Sequence, residues 1–156
     1  MASWKYTLDS ELAQGLADGA VPLFSNPWLS IDRDGAGVRI RVGAGYAWDG
    51  CTGAPDLPGT RQASCLHDAI YQFAEAIGAA SGWSVRAVLR WGDRIFRERM
   101  RADGAAWPVV WIYFLAVRLF GFGFHQAARR LRAWRAARRS DAEPAGRSCR
   151  ESSTEP

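Results

Sequence analysis

Residues 60–102 read TRQASCLHDAIYQFAEAIGAASGWSVRAVLRWGDRIFRERMRA, and their apolar positions recur at the spacing of two α-helices. The first predicted helix covers 61–79 with Thr60 as its N-cap, and the second covers 84–102 and stops at Gly104. One face of the first helix carries His67, Ile70, Tyr71, Ala74 and Ile77. The two helices are therefore expected to run antiparallel and to pack through their apolar faces.

The residues before these helices predict β-structure. Apolar and polar residues alternate over 29–42 on either side of a turn at 33–37, which predicts a hairpin. A short third strand is expected at 45–48. The run 49–59 is too rich in Gly and Pro for a helix or a strand and is predicted to be a shaped loop. Residues 1–27 show only weak patterning.

A third helix is predicted to open at Trp107-Pro108 and to continue to about Arg139, because Pro is tolerated in the first turn of a helix. The stretch 107–124 carries one charge, Arg118, and is close to the length that spans a bilayer. A buried core helix and an interfacial or membrane-inserted helix are both open interpretations. The expected fold class is α+β: a small antiparallel sheet, then the antiparallel helix pair, then a long apolar-to-basic C-terminal helix.

The 156 residues, of which 48% are hydrophobic, suffice for one domain with a tail. Four parts are expected: an N-terminal segment 1–28, an α+β domain 29–124, an Arg-rich helix extension 125–139 and a disordered tail 140–156. Residues 1–124 carry no net charge, whereas 125–139 hold six arginines and no acid. Three partners fit that segment: an anionic membrane surface, nucleic acid phosphates or solvent alone. Nucleic acid is the least favoured, because no base-reading motif accompanies the arginines.

The cysteine count and the N-terminus indicate the compartment. Cys51, Cys65 and Cys149 are too few for a disulfide-built scaffold, and the first twenty residues lack the basic start and apolar run of a signal peptide. The protein is therefore expected to be cytoplasmic as synthesised, with membrane or virion association as further possibilities.

Asp93 lies four residues after Leu89 and three before Phe96, which places it at the edge of the core-facing side of the second helix. Burying an unpaired carboxylate costs several kcal/mol, so a partner is expected, and His67 on the preceding helix is the natural one. A His that is oriented by a carboxylate through one nitrogen is able to act as a base through the other. The same pair, joined by Tyr71, also fits a purely structural network, and both interpretations stay open.

Asp68 adds a second carboxylate beside His67, about a dozen residues after the Gly-rich loop. A carboxylate next to folded-back carbonyls is how a hard cation such as Ca²⁺ is held in proteins. The sequence therefore makes Asp68 a candidate metal ligand.

His67-Asp68-Ala69-Ile70-Tyr71 followed by Asp93 resembles the secreted phospholipase A2 pattern of His-Asp-x-x-Tyr on one antiparallel helix and Asp on the next. The resemblance implies that His67 activates water, that Asp93 orients His67 and that Tyr71 supplies a supporting hydroxyl. The implied cofactor is Ca²⁺, with the metal ligands Asp68, Trp48, Asp49 and Gly50, the last three through carbonyls of the 48–53 loop. The implied function is a calcium-dependent esterase or lipase that acts on a membrane lipid surface. It also implies a place for a Cys51–Cys65 link in an oxidising compartment.

A longer resemblance involves 45–55, 67–71, 93–96 and the apolar run 111–121. Together these segments are similar to the phage and prophage family called domain of unknown function 1353, over roughly 29–124 of this chain. That resemblance implies a phage or prophage origin and phage structural proteins as partners, with no established chemistry. The alternative function is thus a non-enzymatic virion- or lysis-associated structural protein, in which the His and Asp residues are architectural.

Overall fold

The computed structural model describes residues 4–16, 19–35, 37–51 and 54–141. The chain divides into two compact units, Met1–Phe122 and Gly123–Pro156. The first unit has antiparallel β-sheets followed by helices, which confirms the predicted α+β class. In the second unit the described residues are helical.

The strands of the described residues form two antiparallel sheets: β1 (Tyr6–Thr7), β2 (Leu12–Leu16), β3 (Phe24–Ser25), β4 (Leu29–Asp34), β5 (Gly37–Val42) and β6 (Ala47–Trp48). The larger sheet has the order β2-β5-β4-β3, and β1 pairs with β6 in a separate ribbon. The predicted hairpin is confirmed as β4 and β5, with Asp34 opposite Gly37, so its turn is tighter than expected. The strand expected near 45–48 is present as β6, but it pairs with β1 rather than with the hairpin.

The weakly patterned N-terminal residues contribute β1, β2 and β3. β1 and β3 are two residues long, which is too short for a visible alternation. In β2, Leu12 and Leu16 lie opposite Val42 and Val38 of β5, and Gln14 between them lies opposite Ile40. The polar residue in the middle of that strand obscures its pattern in the sequence.

The helices are α1 (Arg61–Gln72), α2 (Ala74–Ser81), α3 (Val85–Ala102) and α4 (Trp107–Asp141). The prediction of a single helix over 61–79 is wrong, because the helix is interrupted at Phe73, between α1 and α2. The Phe73 ring stacks on Phe24 of β3, with the two centroids 6.3 Å apart. Thr60 is the N-cap residue as predicted, but its hydroxyl bonds to the backbone of Leu57 and not to the helix.

α3 begins and ends as the sequence predicted. The Ser84 hydroxyl accepts a hydrogen bond from the Ala87 N–H at 3.2 Å, which caps the first turn. At the other end Gly104 adopts φ +76, a left-handed conformation that glycine reaches without a steric penalty. These ends fix the length of the helix that carries Asp93.

Two groups of buried side chains hold the first unit together. One joins the sheet to α1 and α3 through residues such as Leu29, Ile40, Leu66, Ile70 and Val88. The other joins α1 and α3 to the start of α4 through Ala63, Phe96, Met100, Val110 and Tyr113. α1 and α3 approach closely at Gly92, where a Cβ would lie 2.9 Å from Ile70 Cγ2. The contact between α1 and α3 is thus backed by the sheet and by α4, and this contact carries the candidate site.

The first half of α4 is packed on one side only. Val110, Tyr113 and Phe114 are buried, whereas Ile112 and Leu119 are exposed, so the core-helix interpretation holds for one face. By length and composition Trp107–Ala127 is apolar enough to cross a membrane, with a mean hydropathy of 1.5 and a quarter of that stretch buried. The tail predicted to be disordered lies, from residue 142 on, outside the described residues.

Candidate active site

His67 and Asp93 face each other from α1 and α3. His67 Nε2 lies 3.3 Å from Asp93 Oδ1, and both residues are buried, with 8% and 2% of their surface exposed. The pairing follows from local geometry, because Leu66 and Ile70 anchor α1 in the core and turn His67 toward the facing helix. The structure therefore brings together the pair that the sequence predicted.

Asp93 has two further donors. The Tyr71 hydroxyl donates to Asp93 Oδ1 at 2.7 Å, and Arg118 of α4 donates from Nη1 to Asp93 Oδ2 at 3.1 Å. Two helices, α1 and α4, thus supply donors to one buried carboxylate on α3. Such a carboxylate is stabilised only when its lone pairs are satisfied, and this arrangement meets that condition.

The other nitrogen of His67 faces Asp68. Nδ1 lies 3.5 Å from Asp68 Oδ1, and the Asp68 side chain is 31% exposed, so this side of the ring lies nearer to solvent. The His67 ring also packs at a tilt against the rings of Tyr71 and Phe96, with centroids 4.1 and 5.1 Å away. Those two rings fix the imidazole plane between the two carboxylates.

The electrostatics of the site favour a charged imidazole. Burial alone would lower the pKa of His67, but the interactions with Asp68 and Asp93 outweigh burial and leave the pKa above its ordinary value. Burial raises the pKa of Asp68, His67 lowers it, and the nearby carboxylates of Asp49 and Asp56 raise it. The site therefore has an excess of acidic groups on the side of the 49–56 loop.

The described part of that loop is organised around Asp56. Asp56 Oδ1 accepts the Cys51 N–H at 2.8 Å, Oδ2 accepts the Tyr6 hydroxyl at 2.8 Å, and Lys5 forms an ion pair with Oδ2. Gly50 has φ +78, and a Cβ there would meet the Asp56 carboxylate at 2.6 Å. Burial would raise the pKa of Asp56, but the bonds from Cys51, Lys5 and Tyr6 lower it to about 2.

The residues predicted to hold calcium are placed as follows. Trp48 is buried, and its indole N–H donates to Ser64 Oγ at 3.1 Å, while Asp49 is exposed beside it and Gly50 lies at the turn over Asp56. Residues 52–53, which complete the predicted loop, lie outside the described residues. Within 4–16, 19–35, 37–51 and 54–141 no group of three or more His, Cys, Asp or Glu side chains could hold a metal ion. Any calcium ligation would thus need backbone carbonyls in addition to Asp68.

Cys51 and Cys65 are free thiols, so the link implied by the phospholipase resemblance is not formed here. Burial raises the pKa of Cys51 to about 11 and that of Cys65 to about 12. The thiols pack as small apolar groups, Cys65 in the core with the sheet and Cys51 near the start of α4.

Sequence reasoning missed Arg118, Gly121 and Asp56. Arg118 was noticed only as a charge in an apolar run, although a lone charge in a packed helix signals a buried partner. Gly121 leaves the space that the Tyr71 hydroxyl occupies. Asp56 carried no signal, because its partners Lys5 and Tyr6 are about fifty residues away in the sequence.

Comparison of the chain with protein-family models, curated proteins and solved structures found no match. The two resemblances drawn from motifs therefore stay expectations.

Proposed function

We propose that this protein is a phospholipase A2-like hydrolase of phage or prophage origin that cleaves ester bonds at a membrane surface. The observation that supports the proposal is the asymmetry of the His67 ring. Its Nε2 is held at 3.3 Å by the buried Asp93, and its Nδ1 lies on the more exposed side, next to Asp68. A histidine oriented in this way is equipped to act as a general base.

The proposed reaction begins with the tautomer in which Nε2–H donates to Asp93 and Nδ1 carries the lone pair. Nδ1 takes a proton from water while the water oxygen bonds to the ester carbonyl carbon. The bond from that carbon to the alcohol oxygen then breaks, and Nδ1–H returns the proton to the leaving alkoxide. Asp93, held by Tyr71 and Arg118, stabilises the imidazolium between these steps.

Calcium is the cofactor that the resemblance implies, and Asp68 is the residue suited to hold it. The fit is one of charge: burial and the nearby carboxylates of Asp49 and Asp56 raise the pKa of Asp68, and a cation bound at Asp68 would offset these effects. When bound, calcium would stabilise the negative charge that develops on the carbonyl oxygen. Calcium titration by calorimetry on the wild type and on Asp68→Asn is the check, and equal heats for both would reject this ligand.

The hydrolase proposal is tested by fatty acid release from phosphatidylglycerol and phosphatidylcholine vesicles, with calcium and with chelator. We expect calcium-dependent release by the wild type and a loss of about 100-fold or more in His67→Gln, the size typical of a lost general base. Asp103→Asn is the matched control, because it removes a carboxylate that pairs with Arg99 at the end of α3, away from His67. Absence of release by the folded wild type, or full activity in His67→Gln, would refute the hydrolase.

The alternative is a non-enzymatic virion- or lysis-associated phage protein, and one observation favours it. His67 is 8% exposed with a carboxylate beside each ring nitrogen, and its raised pKa favours the imidazolium, the form that a structural ion pair would use. On this alternative His67→Gln lowers the stability of the fold, no vesicle composition yields fatty acid, and phage structural proteins are the expected partners.

A further inference from the structure

The side of α4 that faces away from the core is apolar and exposed. We call it the outer face of α4; it consists of Trp107, Trp111, Ile112, Leu115, Leu119 and Phe120. These side chains are between 46% and 72% exposed, and they recur over about four turns of one helix. Soluble monomers rarely expose a continuous apolar patch of this kind, and such patches mark interaction surfaces.

A row of arginines on α3 lies beside this face. The row consists of Arg86, Arg90, Arg94, Arg97 and Arg101, whose spacing of three and four residues places them on one side of the helix. The Arg97 guanidinium lies over the rings of Trp111 and Phe114, 5.7 and 4.8 Å from their centroids. The basic row of α3 and the outer face of α4 are therefore contiguous.

A cavity of about 410 Å³ opens where the two surfaces meet. Its walls are formed by Arg97, Arg101, Ala105, Trp107, Val110 and Trp111. Two guanidinium groups beside two indoles suit a group that is anionic at one end and apolar at the other.

The charge that α4 carries before its last residue, Asp141, has one sign. From residue 104 to residue 140 the sequence contains seven arginines and no acidic residue. An apolar surface bordered by the arginines of α3 complements a surface that is apolar inside and negative outside. That description fits an anionic phospholipid layer.

We propose that the outer face of α4 and the arginine row of α3 form a docking surface for an anionic phospholipid bilayer. The indole and aliphatic side chains enter the boundary between headgroups and acyl chains, and the arginines bind the lipid phosphates. α4 lies in the plane of the surface, because Val110, Tyr113 and Phe114 on its other side stay packed in the core. Nucleic acid would use the arginines but would leave the large aliphatic side chains in water.

The biological role of this docking surface rests on the proposed function, because the surface would bring the hydrolase site to its lipid substrate. The experiment below measures binding alone, so a protein that binds vesicles but releases no fatty acid would refute the hydrolase and leave the docking surface standing.

The test is co-sedimentation of the full chain with phosphatidylcholine vesicles, with and without phosphatidylglycerol. The wild type should bind the anionic vesicles, and less so as salt rises. Arg94→Gln/Arg101→Gln should weaken binding by about fivefold for each arginine removed. Leu115→Ser/Leu119→Ser should weaken it by about tenfold or more, because each leucine loses its apolar burial.

Matched controls lie elsewhere on the surface. Arg33→Gln/Arg39→Gln removes the same charge from the β4–β5 hairpin, and Leu23→Ser/Trp28→Ser removes two exposed apolar side chains that lie next to β3 and β4. Both controls should bind as the wild type does, with all variants checked for folding by circular dichroism.

Three results would overturn the proposal. One is equal binding of both vesicle types by the wild type, and another is equal loss of binding in the face variants and their controls. The third is a wild-type dimer that does not bind vesicles and that Leu115→Ser/Leu119→Ser converts to a monomer, since the outer face would then join two copies of this chain.

Discussion

The hydroxyl of Tyr71 occupies the space that the Cβ atom of any residue other than glycine would need at position 121. A Cβ on Gly121 would be 2.5 Å from Tyr71 Oη and 3.1 Å from Cζ. Because this hydroxyl is also bonded to Asp93, Tyr71 cannot move aside without losing that bond. A glycine in α4 thus determines whether a tyrosine in α1 reaches an aspartate in α3.

Gly121→Ala is therefore expected to destabilise the protein by about 1–3 kcal/mol, the usual cost of overpacking. Gly123→Ala is the matched control, because a Cβ there meets nothing within 4 Å and alanine gains about 1 kcal/mol of helix propensity. Urea unfolding of both variants is the measurement. Two variants of equal stability would contradict the close approach.

Removal of the Asp93 carboxylate should be among the most costly single changes. Asp93→Ala leaves His67, Tyr71 and Arg118 without their shared acceptor, and we expect a loss of about 3–5 kcal/mol in the free energy of unfolding. Asp93→Asn keeps an acceptor for Tyr71 and should lie between Asp93→Ala and the wild type. Asp103→Asn, which breaks only the bond to Arg99, should cost at most about 1 kcal/mol. Denaturant unfolding that gave the same loss for Asp93→Ala and Asp103→Asn would refute the buried network.

Asp56 should make the protein sensitive to acid. Its pKa is lowered from 3.8 to about 2 in the folded state, so its contribution to stability is complete above about pH 4 and is lost as the pH falls through about 2. The melting temperature of the wild type should therefore fall more steeply over that interval than that of Asp56→Asn, and Tyr6→Phe should lie between them. Parallel curves for the wild type and Asp56→Asn would show that the loop is not held by this carboxylate.

The thiols of the half-buried Cys51 and the buried Cys65 should react slowly. With pKa values of about 11 and 12, Cys51 and Cys65 hold little thiolate at pH 8, about 100-fold less for Cys51 than at the ordinary value of 9.0. In a Cys149→Ser background we expect slow reaction with a thiol reagent in the native state and two thiols per chain after unfolding. Recovery of fewer than two thiols without reductant would indicate a Cys51–Cys65 bond.

The parts of the fold that could be predicted from the sequence depend on short-range patterns. Alternation over the hairpin predicted β4 and β5, and helical spacing together with a Gly stop predicted α3, whose cap at Ser84 was not foreseen. The His67–Asp93 contact also followed, because a carboxylate on an apolar helix face requires a partner on the neighbouring helix.

The missed features depend on contacts between distant parts of the chain. Arg118 reaches Asp93 from 25 residues away, and Lys5 reaches Asp56 from 51 residues away. The break at Phe73 reflects packing on Phe24 of the sheet, which helical periodicity alone does not reveal. Tertiary partners of this kind are set by the assembled core and leave little local trace in the sequence.

The order in which the chain is synthesised determines when Arg118 can contact Asp93. The ribosome releases α1 and α3 before α4, so Tyr71 and His67 can meet Asp93 before Arg118 has emerged from the ribosome. A nascent chain at that stage has its buried carboxylate but not its guanidinium. Arg118 thus adds its charge to the centre of the first unit only after residue 118 has left the ribosome, which makes this part of the fold one of the last to become complete.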